Sequence, residues 1–232
     1  MEKQKYAAIV LAAGSGKRMN SKVHKQYLII QDRPVLYYSL KAFEDSAVDE
    51  IVLVVGKGEE EFCRKEIVDK YGISKVKAIV EGGKERYHSV FEGLKQTSDA
   101  DYVLIHDGAR PFVNQDIIRR CMQEVQKYQA CVVGMPVKDT IKIADEEGYA
   151  KQTPDRKNVW MIQTPQTFSY ALIYEAYEEM LKTEDAAITD DAMVLERIKG
   201  KKSKLIGGSY RNIKITTPED LLIANVYLQH PE

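Results

Sequence analysis

Cysteine is scarce in this chain. Three residues among 232, Cys63, Cys121 and Cys131, lie far apart with no C-x-x-C pair. That odd, scattered set excludes a disulfide framework and points to reduced, mostly buried thiols. Metal-binding histidine patterns are missing too: His24, His88, His106 and His230 show no H-E-x-x-H or similar spacing, so no zinc site is expected. Neither sign of charge is in excess, with 34 Lys plus Arg against 35 Asp plus Glu. No overall field therefore exists to attract nucleic acid or an anionic membrane, and any phosphate binding has to be local. No apolar run approaches the roughly 18 residues of a membrane span. The opening MEKQKYAAIVLAAG reads as a strand flowing into a glycine loop with no small-residue cleavage site, which leads us to expect a cytoplasmic protein. Repeats, low-complexity tracts and Gly/Ser-rich linkers are absent as well. With 44% hydrophobic residues, a single domain over 1–232 is the expectation.

What is present is an alternation of short apolar runs and amphipathic stretches. AAIVLAA (7–13), EIVLVV (50–55), VKAIV (76–80), YVLIHD (102–107) and ACVVGMPV (130–137) are near-continuously apolar, the mark of strands buried on both faces. PVLYYSLKAFEDS, GEEEFCRKEIVDKYG, ERYHSVFEGLKQT and NQDIIRRCMQEVQKYQ carry helical periodicity between them. This predicts an α/β fold with a doubly wound, mostly parallel, Rossmann-like sheet. The rhythm breaks at about 138–160, where two strand-like pieces flank Asp145-Glu146-Glu147-Gly148, predicting a protruding β-hairpin arm. So small a hairpin buries little by itself and needs something to pack on, a second subunit for example. Helices near 169–182 and 189–199, strands around 204–206 and 212–216, and a final helix from Thr217-Pro218-Glu219-Asp220 complete the pattern.

Three strand ends gather residues suited to phosphate chemistry. After the first strand, Gly14-Ser15-Gly16 is followed by Arg18, Lys22 and Lys25. The dinucleotide fingerprint fails because Met19 stands at its third glycine, and no G-K-[ST] completes a Walker loop. There remains either an ordinary glycine turn with solvated cations or a loop whose amides, with Arg18 and Lys25, meet a polyphosphate. At the fourth strand's end, HDGARPF presents Asp107, a candidate Mg²⁺ ligand, and Arg110, a candidate phosphate ligand that would equally suit a salt bridge to Asp107. At the third, EGGKERYHSV offers Gly82 and Gly83 for close approach to a planar base, with Arg86 and Ser89 one helical turn apart. Thr140, Arg156, Thr164, Gln166 and Lys214 are further candidates. Asp190 and Asp191 follow Thr189 at a helix start, where acids favour the dipole and capping is expected.

Taken in order, LAAGSGKRM with KQY, GGKERYHSV, HDGARPFV, PVKDTIK, TPQTF and NIKITTPED resemble the 2-C-methyl-D-erythritol 4-phosphate cytidylyltransferases of the non-mevalonate isoprenoid pathway, over about residues 6–228. The resemblance implies transfer of CMP from CTP to the phosphate of methylerythritol phosphate, with release of pyrophosphate and a requirement for Mg²⁺ or another divalent cation. It implies that Arg18 and Lys25 stabilise the transition state and that Gly16 offers its amide to the triphosphate. Ala12, Ala13 and Gly14, with Gly82, Arg86 and Ser89, would serve the nucleotide, and Asp107 would help hold the metal. Thr140 and Arg156 would reach across a homodimer, through the arm, to methylerythritol phosphate bound by Arg110, Thr164 and Lys214 of the other chain. Many relatives have proline where this chain has His24. The ribitol-5-phosphate cytidylyltransferases, which usually carry an alanine-valine pair where this chain has Gly108-Ala109, are the alternative, and a non-catalytic nucleotide-binding module is the alternative of another class.

Overall fold

The computed structural model describes residues 3–14, 16, 19, 23–183 and 188–230. Its main sheet has seven strands: β1 (Tyr6–Ala12), β4 (Glu50–Val55), β5 (Val76–Glu81), β6 (Tyr102–Asp107), β7 (Ala130–Pro136), β10 (Trp160–Ser169) and β11 (Lys204–Gly207). A short pair, β2 (Ile29–Ile30) with β3 (Arg33–Pro34), and the hairpin of β8 (Ile143–Ala144) with β9 (Ala150–Gln152) stand apart from it. The order is β11-β7-β10-β6-β1-β4-β5, and every pairing is parallel except those made by β10, which runs antiparallel to both β6 and β7.

The five apolar runs form the expected strands because both faces of the sheet are covered. On one face Ala8 and Val10 of β1 meet Leu36, Leu40 and Phe43 of α1 (Val35–Glu44), and Ile117, Cys121 and Val125 of α4 (Gln115–Tyr128). On the other, Ala7 and Ile9 meet Val90 and Leu94 of α3 (Arg86–Leu94), Tyr177 of α5 (Tyr170–Thr183) and Leu195 of α6 (Asp191–Lys199). Side chains still alternate between faces; both destinations are simply apolar. All three cysteines are free thiols and buried.

Three expectations need correction. The stretch 212–216 is no strand: the Ile215 N–H reaches the Ala109 carbonyl at 2.8 Å, but no ladder follows among the described residues. Its alternation serves other ends, since Ile215 packs beneath α7 (Pro218–Gln229) while Lys214 faces the strand ends. Between β4 and β5 the helical pattern gives only a short α2 (Glu60–Cys63) followed by a π-helical segment, Arg64–Asp69. β10 is the third departure. Its WMIQTPQTFS carries polar residues and a proline, so nothing in its hydropathy marks a central strand, yet Gln163, Thr164, Gln166 and Thr167 are all buried there.

Among the described residues no helix is long and apolar enough to cross a membrane.

Candidate active site

The carboxyl ends of β1, β4, β5 and β6 lie on one edge of the sheet, and the strand order reverses at β1, so a crevice opens beside Ala12 and Asp107. β10 enters that edge from the opposite direction, so its early residues Gln163 and Thr164 arrive there too.

From β1 the chain passes through Ala13 and Gly14. Gly16 follows in the left-handed region at φ +62°, a conformation natural to glycine, and a Cβ there would also stand 3.2 Å from Lys25 Cγ. The loop returns in a 3-10 turn, Lys25–Tyr27. The buried Gln26 amide donates to the Ala12 carbonyl at 2.5 Å, and Lys25 Nζ donates to the Ile215 carbonyl at 2.9 Å. The turn that carries Lys25 is thereby tied to both the first strand and the segment that carries Lys214.

Asp107 is the centre of the second half. Lys214 Nζ stands 2.8 Å from Oδ2, Arg86 Nε 3.3 Å from Oδ1 and Arg110 Nε 3.8 Å from Oδ2. Burial by itself would raise its pKa, but Arg86, Lys214 and Arg110 outweigh that and hold the carboxyl well below the usual carboxylate range. The Asp107 N–H donates to the Thr164 hydroxyl at 3.1 Å, and that hydroxyl lies 3.0 Å from His106 Nδ1. His106 Nε2 in turn lies 3.2 Å from the Arg110 carbonyl. Burial lowers the His106 pKa to about 4, so the ring is neutral at pH 7, and the network suits the tautomer protonated at Nε2.

Arg86 bridges to a second acid. Its Nη1 and Nη2 donate to Oδ1 and Oδ2 of the fully buried Asp191 at 2.7 and 2.8 Å, a two-pronged pair that Tyr177 supports with a 2.6 Å bond to Oδ1. Asp190, one residue earlier, caps α6 by accepting from the Met193 N–H at 2.9 Å. The acidic pair therefore divides: the expected cap is Asp190, and Asp191 is the counter-ion of Arg86.

Two adjoining cavities result. One, of about 470 Å³, is lined by Ala12, Ala13, Gly14, Lys25, Arg86, Ser89, Asp107 and Lys214, all of them read from the sequence as site residues. The other, of about 320 Å³, shares Arg86, Asp107 and Lys214 and adds Arg110 and Thr164. Gly16 and Gly82 lie behind this lining; a Cβ on Gly82 would stand 2.5 Å from that of Ala13. The Ser89 hydroxyl accepts from the Gly83 N–H at 3.1 Å and so shapes the loop that faces the first cavity. Thr140 and Arg156 do not join them: both are exposed on the arm, where Arg156 Nη1 donates to the Lys138 carbonyl at 3.4 Å. Arg18 and Lys22 lie outside the described residues.

The sequence profile described as "IspD: 2-C-methyl-D-erythritol 4-phosphate cytidylyltransferase" matches residues 6–230. The chain belongs to this family. Proteins named 2-C-methyl-D-erythritol 4-phosphate cytidylyltransferase from Lachnoclostridium phytofermentans and Lachnospira eligens are 51% and 54% identical to it, covering 97% and 96% of this chain and 97% and 98% of their own. Among solved structures, the 4-diphosphocytidyl-2C-methyl-D-erythritol synthase of Anaerococcus prevotii superposes with a TM-score of 0.86 at 38% identity, covering 98% of this chain and 97% of that one. Within the IspD framework, sequence reasoning missed Gln26 and Asp191 as organisers of the site. Gln26 stands inside the K-Q-Y motif and Asp191 is one of the two acids expected to cap a helix start, so each carries a signal that sequence alone assigns to something else. Lys84 and Glu85, which also line the first cavity, stand inside EGGKERYHSV, whose glycines, Arg86 and Ser89 alone are assigned.

Proposed function

We propose that this IspD-family enzyme transfers CMP from CTP to 2-C-methyl-D-erythritol 4-phosphate, giving 4-diphosphocytidyl-2-C-methyl-D-erythritol and pyrophosphate. The supporting observation is the pair of adjoining cavities that meet on Arg86, Asp107 and Lys214. Two phosphorylated substrates need such a meeting place. Five described cations, Lys25, Lys84, Arg86, Arg110 and Lys214, stand against four carboxylates, Glu85, Asp107, Asp190 and Asp191, so the junction carries a small surplus of positive charge where two polyanions must approach.

In the reaction a phosphate oxygen of the acceptor forms a bond to the α-phosphorus of CTP as the bond to the β-phosphate oxygen breaks, and the electron pair leaves with pyrophosphate. A phosphate monoester is a competent nucleophile at neutral pH, so no thiolate or serine triad is required. We assign the larger cavity to CTP, with the backbone of Ala12–Gly14 and the Gly82–Ser89 loop against the base, and Gly16 and Arg18 beside the triphosphate. Lys25 and Arg18 carry the added charge of the transition state. The smaller cavity takes the acceptor phosphate, with Arg110 and Lys214 beside it. Thr164 acts through Asp107 and His106, since its hydroxyl is already bonded to both.

Magnesium fits this site as a passenger of the nucleotide. Among the described residues no group of three metal-binding side chains occurs, and the one carboxylate facing both cavities, Asp107, already has cations on both oxygens. Mg²⁺ typically takes one or two carboxylates plus phosphate oxygens and water. Asp107 is therefore the protein ligand best placed for it, at the junction of the two cavities, and the ion would supply charge neutralisation along the triphosphate.

The arm, at about 138–160, is read as the dimer contact of a single-domain chain over 1–232, bringing Thr140 and Arg156 to the partner's acceptor cavity. Its exposed Ile143 and Tyr149, with Met161 beside it, suit a partner surface. Three reduced, buried thiols agree with a cytoplasmic location. The test is incubation with CTP, Mg²⁺ and methylerythritol phosphate while pyrophosphate is measured, with ribitol 5-phosphate in parallel. Release with the first acceptor alone is expected; release with neither, or with ribitol 5-phosphate alone, refutes the assignment.

A further inference from the structure

Outside both cavities, the Lys25 turn meets a third structure. Glu59 sits between β4 and α2, anchored to the core by its own backbone: its N–H donates to the Gly56 carbonyl at 3.0 Å and its carbonyl accepts from Cys63 N–H at 2.8 Å. Its carboxylate spreads over both flanks of the turn. His24 Nδ1, just before Lys25, lies 2.7 Å from Oε1, and the Tyr27 hydroxyl, closing the turn, donates to Oε2 at 2.8 Å. The Gly56 N–H donates to the same Oε2 at 3.0 Å. Phe62 sets its edge to the Tyr27 ring, with centroids 5.1 Å apart, and Cys63 Sγ lies 3.0 Å from the phenol oxygen. Burial, with Cys63 and Glu59 alongside, pushes the Tyr27 pKa up, so the phenol remains a donor to Glu59.

We propose that Glu59 is a positioning residue for Lys25, its carboxylate fixing the turn from the side opposite the substrate. On the inner side the Gln26 amide holds the Ala12 carbonyl and Lys25 Nζ the Ile215 carbonyl. Glu59 adds a hold on the outer side, through His24 before Lys25 and Tyr27 after it. Such a device suits this chain because residue 24 is a histidine held at φ −61°, the angle that a proline ring would impose covalently. Gly56 belongs to the same device: a Cβ there would stand 2.6 Å from Glu59 Oε2. Since that oxygen ends a flexible side chain, a methyl group at 56 displaces the carboxylate at little cost to the fold.

This inference rests on the role given to Lys25, and the experiment separates the two. Glu59→Ala, Gly56→Ala, Lys25→Ala and the double variant His24→Pro/Glu59→Ala are assayed with CTP, Mg²⁺ and methylerythritol phosphate, at a temperature where circular dichroism shows each fully folded. Misplacing a transition-state group by about 1 Å costs up to ~10²-fold, so Glu59→Ala is expected to lower kcat and kcat/KM together by ~10- to 10²-fold, and Gly56→Ala by a smaller factor in the same pattern. His24→Pro, restoring the backbone constraint, is expected to recover much of the loss in the Glu59→Ala background. A folded Glu59→Ala protein with normal kcat while Lys25→Ala is crippled overturns the positioning role alone. So does a loss that raises KM only, or one that His24→Pro leaves untouched. Normal turnover in Lys25→Ala overturns the role of Lys25, and that of Glu59 with it.

Discussion

Asp107 and the arm differ in every respect that fixes a side chain. Around Asp107 the sheet supplies the backbone: β6 delivers the carboxylate, α3 delivers Arg86 and the segment before α7 delivers Lys214, and each finds a charged partner within 4 Å. On the arm every residue from 142 to 153 is exposed, and the hairpin joins only β8 and β9. A site whose cations are held by counter-ions before substrate arrives is preorganised, and little reorganisation is needed when charge develops. Among the described residues Thr140 and Arg156 have no such counter-ion, and in the proposed dimer their precision comes from contact with the other chain.

That contrast can be broken most sharply at its buried end. Arg86→Ala strands Asp191, which is fully buried, and removes one cation from Asp107; losing one partner of a buried pair costs about 3–5 kcal/mol of stability. Urea denaturation measures it, and a change below about 1 kcal/mol would mean the pair contributes little to the fold. Lys25→Ala strikes the chemistry with the fold intact: kcat should fall by ~10²–10³, about 2.7–4 kcal/mol, with the denaturation midpoint little changed.

The buried network also fixes a pH dependence. The folded pKa of His106, about 4, lies below its ordinary 6.5, so the unfolded chain takes up a proton that the folded chain refuses. Stability therefore falls as pH drops from about 6.5 toward 4, by about 2 kcal/mol at pH 5. His106→Asn should flatten this slope between pH 7 and 5; an unchanged slope would assign it to other groups. The smallest effect is expected on the arm. Because Arg156 is exposed, Arg156→Ala should raise KM for methylerythritol phosphate by about 1.5 kcal/mol, the lower end for one charged hydrogen bond, while KM for CTP and stability stay put.

The sequence was a better guide to the sheet-built half than to what holds it together. Apolar runs such as EIVLVV announce buried strands, and the glycine loop, HDGAR and GGKER fall at strand ends because those ends are where the runs stop. β10 was hidden because its buried face is polar: Gln163 and Gln166 are satisfied by Ser209, Asp190 and the start of α6, partners that no local pattern reveals. Lys214 was read as part of a strand since NIKIT alternates, yet the alternation reflects one face packed on α7 and the other turned to Asp107. Arg86 looked like a nucleotide ligand on helical spacing; its forked nitrogens go to Asp191, over a hundred residues away in sequence. Counter-ions of that kind become visible only when the fold closes.

In the proposed dimer one chain's cation cluster works with another chain's arm. The most direct measurement mixes two defective chains, Lys25→Ala and Arg156→Ala, co-expressed with different tags, purified as the mixed dimer and assayed at a methylerythritol phosphate concentration well below the raised KM of Arg156→Ala. In that dimer one site combines both defects and the other combines none, so substantial turnover should return, well above the sum of the two variants assayed separately. If the mixed dimer is no more active than that sum, each chain supplies its own complete site and the shared arrangement is wrong.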